Sequence, residues 1–190
     1  MTNGEADGLL VRAGRGDNEA LRMLYVEWRS AVFYLAAAIV GSYDDAQDIL
    51  QDTFIRLKRA EYQGGNAKAY VFAIARNLAL TCLRERKHHA YAEPVEEAAW
   101  QESRAESATE LSEALSTLTP EEKQIVLLHV LGGMKHRETA ALLHIPLGTV
   151  LWKYQRALGK LRQWLKERGA CDEKRRLAPV YQTKRGQGHA

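Results

Sequence analysis

The chain has 190 residues, of which 46% are hydrophobic and 27% are charged, and its formal net charge is +3. This composition is typical of a water-soluble globular protein with one or two small domains. The longest uncharged apolar run, residues 31–40, is about half as long as the roughly 20 residues that cross a bilayer, and the first residues lack a secretory signal pattern. We therefore expect a cytoplasmic protein without a membrane span.

The two cysteines predict neither a disulfide framework nor a metal site. Cys82 and Cys171 lie far apart and form no CxxC motif. Cys82 with His88 and His89 would supply three ligands, but a fourth ligand is missing. We expect a reduced, packed Cys82 and no metal or other cofactor.

Charge is distributed unevenly along the chain. The net charge is −6 over residues 89–119 and +5 over residues 120–170. This asymmetry favours two modules joined by a solvated acidic linker, with the basic module facing a polyanion. The predicted units are a first domain at 1–88, a flexible acidic linker at 89–110, a second domain at 111–168 and a basic disordered tail at 169–190.

The sequence predicts an all-α fold, because prolines are few and no run alternates apolar and polar residues. Asp17 is the predicted cap of a long core helix that Gly41 ends. Ser42 begins a helix to about Arg59. Its predicted inner side is Ala46, Ile49, Leu50, Thr53 or Phe54, and Leu57, and its outer side is Asp44, Asp48, Gln51 and Asp52.

The sequence predicts a loop at residues 61–66 and a further helix at residues 67–87. Its predicted inner residues are Tyr70, Ile74, Leu78 and Thr81, and its outer face carries Arg76, Asn77, Arg84 and Lys87. An asparagine in the middle of a helix lowers helix propensity and needs a partner. The outer face is therefore a candidate binding surface.

The second half predicts a helix-turn-helix. Thr119 and Pro120 begin a helix that ends near Gly132, and two more helices, 137–143 and 148–168, flank the turn at residues 144–146. The last helix has an apolar stripe that begins at Val150. A second stripe, Thr149, Lys153, Arg156 and Lys160, can lie along the phosphates of DNA.

Three segments together resemble a known family. They are DDAQDILQDTFIRL at residues 44–57, AYVFAIARNLALTCLRERK at residues 69–87, and LSTLTPEEKQIVLLHVLGGMKHRETAALLHIPLGTVLWKYQRALGKLR at residues 115–162. The first two resemble region 2, and the third resembles region 4, of an extracytoplasmic-function (ECF) sigma factor of the bacterial sigma-70 family. The order of the two regions and their acidic spacer match as well.

The resemblance implies a non-enzymatic initiation subunit that binds core RNA polymerase and promoter DNA and is held by an anti-sigma protein. The residues implied to contact the polymerase clamp are Asp48, Gln51 and Asp52. Those implied to engage and open the minus-10 element are Tyr62, Asn66, Phe72, Arg76, Asn77 and Arg84, with Tyr62 or Phe72 as a stacking platform. Those implied to read the minus-35 element in the major groove are Arg137, Thr149, Trp152, Lys153 and Arg156.

The sequence departs from the family pattern at two places in the helix-turn-helix. His144 stands in the turn where glycine is usual. Leu151 and Trp152 replace small or basic residues of the recognition helix. These two side chains either touch thymine methyl groups or form an apolar patch that another protein covers.

Two other functions stay open. An ordinary helix-turn-helix regulator would explain residues 111–168, but it would bind duplex DNA without polymerase and would leave residues 44–87 unexplained. A sigma-like regulator that acts mainly through protein contacts would explain Leu151 and Trp152. An enzyme is least expected, because no paired catalytic carboxylates, activated nucleophile or phosphate-binding glycine loop is present.

Overall fold

The computed structural model describes the backbone of residues 1–89 and 106–177 and the side chains of residues 1–86 and 110–168. Most of the predicted linker and the end of the predicted tail lie outside the described residues. The described segments contain helices and no strand, which confirms the predicted all-α class. The helices are α1 (Asn3–Gly14), α2 (Asn18–Val40), α3 (Tyr43–Lys58), α4 (Ala67–His89), α5 (Glu106–Ser116), α6 (Pro120–Val130), α7 (His136–Leu143) and α8 (Leu147–Leu177).

Helix α2 is the central helix of the N-terminal bundle α1–α4. It begins and ends as predicted: the Asp17 carboxylate accepts the first N–H groups of the helix, and Gly41 adopts φ +69° at its C-terminus. Trp28 and Leu35 are buried on its inner face. By length and composition alone α2 could cross a membrane. In the structure α1, α3 and α4 all pack against it, as around the core helix of a bundle.

Helix α3 follows the predicted pattern. The Ser42 hydroxyl accepts a hydrogen bond from the Asp45 N–H, which caps the helix. The pattern predicts either Thr53 or Phe54 on the inner side of α3, and in the structure both are buried. The Thr53 hydroxyl donates to the carbonyl of Ile49 at 2.7 Å, so this buried polar group is satisfied within the helix.

The buried face of α4 is rotated from the predicted one. Tyr70 and Thr81 are exposed, which corrects the prediction, while Ile74 and Leu78 are half-buried and pack against the core. The fully buried positions are Ala67, Val71, Phe72, Ala75 and Ala79. Three of these five are alanines, whose small side chains let α4 approach the bundle closely.

The C-terminal unit, α5–α8, contains the predicted helix-turn-helix in α7 and α8. Thr119 and Glu122 form a reciprocal capping box at the start of α6. The turn places His144 in the left-handed region at φ +57°. Helix α8 continues to Leu177, beyond the predicted end at residue 168.

The two units pack against each other. Leu128 of α6 and Met134 of the α6–α7 loop are buried in the same apolar cluster as Trp28 and Phe72 of the N-terminal bundle. Gly132 lies beside Phe72, where an added Cβ would come within 3.0 Å of the ring. The predicted acidic linker implies two tethered units. It gives no indication that the two units share an apolar core.

Candidate functional site

The predicted polymerase-binding residues form an exposed polar face on α3. Asp48, Gln51 and Asp52 are all exposed on the side opposite the buried Ile49 and Phe54. Within the described side chains, neither Asp48 nor Asp52 forms an ion pair. Both carboxylates are therefore available to a basic partner.

Tyr62 anchors the loop between α3 and α4. Its hydroxyl donates to the Asp7 carboxylate, which also accepts the Ala67 N–H at 2.8 Å. Burial, together with the hydrogen bond and the charge of Asp7, raises the pKa of Tyr62 well above its usual value. The ring packs against Tyr70 at a centroid distance of 5.0 Å. Tyr62 thus holds the loop to α1 in this structure.

Phe72 is a core residue, contrary to its predicted place among the minus-10 contacts. Its side chain is 0% exposed and packs against Trp28, with the Gly132 backbone on another side. In this arrangement it cannot stack on a base. The aromatic signal was misread because α4 is rotated relative to the predicted face.

Three of the predicted minus-10 residues lie beside the C-terminal unit. The Asn66 amide donates to Glu138 of α7 at 2.7 Å, and its carbonyl oxygen caps α4 by accepting the Ala69 N–H. Arg76 donates to Gln124 of α6 at 3.4 Å. Asn77 is exposed one position further along α4.

A cavity of about 500 Å³ separates α4 from α7 at this junction. Asn66, Arg76 and Asn77 line it from the N-terminal unit, and Arg137 and His144 line it from the C-terminal unit. Arg84 is also exposed on α4, but it does not line the cavity. The structure therefore brings predicted minus-10 residues together with Arg137, a predicted minus-35 residue.

The cations of the recognition helix are paired with the first turn of α6. Lys153 Nζ lies 2.5 Å from Glu121 Oε2, and Lys160 Nζ lies 2.6 Å from Glu122 Oε2. Arg156 Nε is 3.5 Å from Glu122 Oε1. The stripe predicted to contact phosphates is thus partly neutralised within the domain.

Glu122 is the buried centre of this network, with its side chain 2% exposed. Burial would raise the pKa of Glu122, but the Lys160 ammonium and the Thr119 N–H and hydroxyl outweigh it, so the pKa lies below its usual value. The carboxylate is held ionised, and it joins α6 to α8.

The outward face of α8 is largely apolar at its start. Trp152 is 57% exposed and Leu151 is 42% exposed. Arg156 stacks over the Trp152 ring at 5.3 Å from its centroid. Thr149 is half-buried, and its N–H donates to the Pro146 carbonyl rather than pointing outward as an unpaired group.

Sequence reasoning missed the acidic partners of these side chains. Glu121 and Glu122 follow Thr119 and Pro120 at the predicted helix start, but the sequence indicates no partner for either, and it does not mark Gln124 or Glu138. Three cations spaced along α8, opposite two adjacent carboxylates in the first turn of α6, were the available signal. That signal becomes readable only once α6 and α8 are known to be neighbours.

Comparison with known proteins finds a family match for each of the two units. The family model described as Sigma-70 region 2 matches residues 24–89, and the model described as Sigma-70, region 4 matches residues 108–161. The ECF RNA polymerase sigma factor SigE of Mycolicibacterium smegmatis is 31% identical over 85% of this chain and 68% of its own length. BldN, an ECF RNA polymerase sigma factor of Streptomyces coelicolor, is 27% identical over 83% of this chain and 64% of its own length.

A solved structure shows the same fold. It is the complex of the sigma factor RpoE with the anti-sigma factor NepR from Bartonella quintana, with a TM-score of 0.62 and 22% sequence identity, covering 76% of this chain and 96% of that one. Two region matches in the expected order, together with a relative that is 31% identical and aligned over 68% of its length, leave one assignment. The chain belongs to the ECF sigma factors of the sigma-70 family.

Proposed function

We propose that this sigma factor binds core RNA polymerase through α3 and directs it to promoters, opening the minus-10 element with α4 and docking on the minus-35 element with α7 and α8. The observation that carries the proposal is the presence of both sigma regions, in order, in a chain that aligns over most of its length with an RNA polymerase sigma factor. Members of this family are non-enzymatic initiation factors. The proposed compartment is the cytoplasm, where the polymerase acts.

The exposed face of α3 supports polymerase binding. Asp48, Gln51 and Asp52 present two unpaired carboxylates and an amide on one side of a rigid, capped helix. Opposite charges across an interface steer association and fix its register. A basic surface on the polymerase is the complementary partner.

The face of α4 supports recognition of an opened minus-10 element. Asn77 offers an amide that both donates and accepts, which suits the edge of a base that has left the stack. Arg76 and Arg84 supply charge for the backbone on either side. In the present arrangement Arg76 is bonded to Gln124, so the C-terminal unit must move before all three can reach DNA.

An anti-sigma protein is the further partner that we propose. The solved relative is a complex of that kind. In this chain the two units already lie in contact through Leu128 and Met134, an arrangement that such a partner could hold by binding both units at once.

A second candidate function is a sigma-like regulator with weak minus-35 reading. It is favoured by the exposed, largely apolar start of α8 and by the internal pairing of Lys153 and Lys160. The two candidates share polymerase binding and differ in how strongly α8 holds duplex DNA.

Polymerase binding can be measured with purified core enzyme and labelled full-length chain. We expect Asp48→Lys to weaken the complex by about tenfold or more, because it places a cation against a basic surface. Glu167→Lys is the matched control, since Glu167 is an exposed acidic residue whose one hydrogen-bond partner among the described side chains is Gln163. Absence of any complex with the unmodified chain, or equal binding by both variants, would contradict the proposal.

A further inference from the structure

The ion pair between Lys153 and Glu121 is more exposed at its carboxylate than the neighbouring pairs of Glu122. Glu122 closes the capping box and is buried, so its pairs with Arg156 and Lys160 hold α6 against α8. The Glu121 side chain is 61% exposed, and Lys153 is its one ion-pair partner within the described side chains. Exposed pairs of this kind contribute about 0–1 kcal/mol to stability. Glu121 also lies in the first turn of α6, where a negative charge interacts favourably with the helix dipole by about 0.3–1 kcal/mol. Both contributions are small, so a neutral residue at position 121 should leave the fold intact.

Lys153 occupies a position where a phosphate oxygen would compete with Glu121. It stands on the stripe of α8 that contains Thr149 and Arg156, and its side chain is 23% exposed, so the ammonium is still reachable from solvent. A carboxylate and a phosphate both accept hydrogen bonds from an ammonium group. DNA that uses Lys153 must first displace the carboxylate, which then remains as a negative charge near the DNA backbone.

We propose that Glu121 limits the affinity of the recognition helix for duplex DNA by holding Lys153 as an intramolecular substitute for phosphate. This inference rests on the proposed function, since it assumes that α8 docks on a duplex. It assigns to Glu121 a positioning role: the residue touches no DNA and acts through Lys153. In the unmodified chain Glu121 therefore keeps Lys153 from the phosphates, and the recognition helix binds duplex DNA with one cation fewer than its sequence suggests.

Replacing the Glu121 carboxylate by the neutral amide of glutamine tests the proposal. The probe is a random-sequence duplex about two helical turns long, because phosphate contacts are independent of sequence. With full-length chain, Glu121→Gln should tighten binding about three- to tenfold at low salt and steepen the slope of log affinity against log salt by about 1, as expected when one more cation reaches a phosphate.

The matched control is Glu113→Gln. Glu113 is equally exposed and also paired, with Arg168 at 2.8 Å, but it lies on α5 rather than at the start of α6. It makes the same change in net charge. We expect it to alter duplex affinity by less than about twofold, because its partner Arg168 lies about 22 Å along α8 from Lys153 and the charge is screened over that distance.

A double-mutant cycle separates a specific role from general repulsion. In a Lys153→Met background the gain from Glu121→Gln should largely disappear, because the group that Glu121 restrains is gone. A gain of equal size in both backgrounds would overturn the proposal, as would equal affinities of Glu121→Gln and Glu113→Gln. Circular dichroism establishes that each variant keeps its helices.

Failure of the proposed function gives a different pattern. If Lys153→Met weakens binding while Glu121→Gln resembles its control, α8 docks on the duplex and only the role of Glu121 is contradicted. If neither the unmodified chain nor Glu121→Gln binds the duplex, or if adding Lys153→Met leaves the affinity of Glu121→Gln unchanged, docking by α8 is contradicted together with the inference.

Discussion

His144 carries backbone strain in the turn of the helix-turn-helix. It is the one residue other than glycine with positive φ in the described residues, at +57°, and it closes α7 by donating its N–H to Ala141. A left-handed conformation costs an ordinary residue about 1–2 kcal/mol. The sequence marks this site because glycine is usual here in the family that it resembles, and positive φ is the conformation that glycine adopts without strain.

We expect His144→Gly to raise the free energy of unfolding by about 0.5–1 kcal/mol, which is the relief of strain less the added freedom of the unfolded chain. Denaturant unfolding measures it. His144→Val should instead destabilise by about 1 kcal/mol, since a β-branched residue is poorly accommodated at positive φ. A less stable glycine variant would show that the imidazole makes a compensating contact.

At the scale of helices, the N-terminus of α6 depends on one ionised group. Glu122 completes the capping box and pairs with Lys160, and its pKa is lowered in the folded protein. A carboxyl whose folded pKa lies below its unfolded value, 4.5, stabilises the fold above that pH. The stabilisation is lost as the pH falls through the lower, folded value.

Glu122→Gln should therefore cost about 1–3 kcal/mol at neutral pH, since the amide can still cap α6 but no longer pairs with Lys160. The difference in unfolding free energy between the two proteins should shrink as the pH falls below about 4.5. Unfolding curves at a series of pH values measure both effects. A difference that stays constant with pH would mean that the charge of Glu122 does not stabilise the fold.

Helix starts and stops could be predicted well from the sequence, because caps act locally. Asp17, Ser42 and Thr119 each accept N–H groups of the helix that they precede, and these bonds depend on a few adjacent residues. The inner face of α4 could not, because three of its five fully buried residues are alanines, which a pattern of large apolar residues does not mark. Which face of a helix is buried depends on the helices that pack against it, and a local pattern does not identify those helices.

In the candidate site, too, exposure could be predicted from local patterns, but contacts between helices could not. Residues on the outside of one helix, such as Asp48 and Asn77, are exposed where the pattern predicted an outer face. The partners of Arg76 and Lys153 lie on other helices far away in sequence, at Gln124 and Glu121. Such contacts follow from the packing of the helices, and one sequence does not specify that packing.

At the scale of the whole molecule, the contact between the two units conflicts with simultaneous reading of both promoter elements. By their names the elements are about 25 base pairs apart, or about 85 Å along a duplex. A compact chain of this length has a radius of gyration of about 16 Å. Arg76 and Arg137 line one cavity in the structure, so the proposed contacts with both elements require the two units to separate on a promoter.

Met134→Lys should favour that separation, because Met134 is 1% exposed in the apolar cluster that the two units share. We expect a larger radius of gyration by small-angle X-ray scattering, with helical content retained. Met23→Lys is the control, since Met23 is 47% exposed and outside this cluster. Unchanged scattering from the Met134 variant would show that other contacts hold the units together.

Transcription of genomic fragments by core RNA polymerase with this protein added, with the start sites mapped, tests the proposed function most directly. We predict discrete start sites that require the protein, and we predict that Asn77→Ala reduces opening at those sites while leaving polymerase binding intact. Start sites identical to those of core enzyme alone would contradict the proposed function.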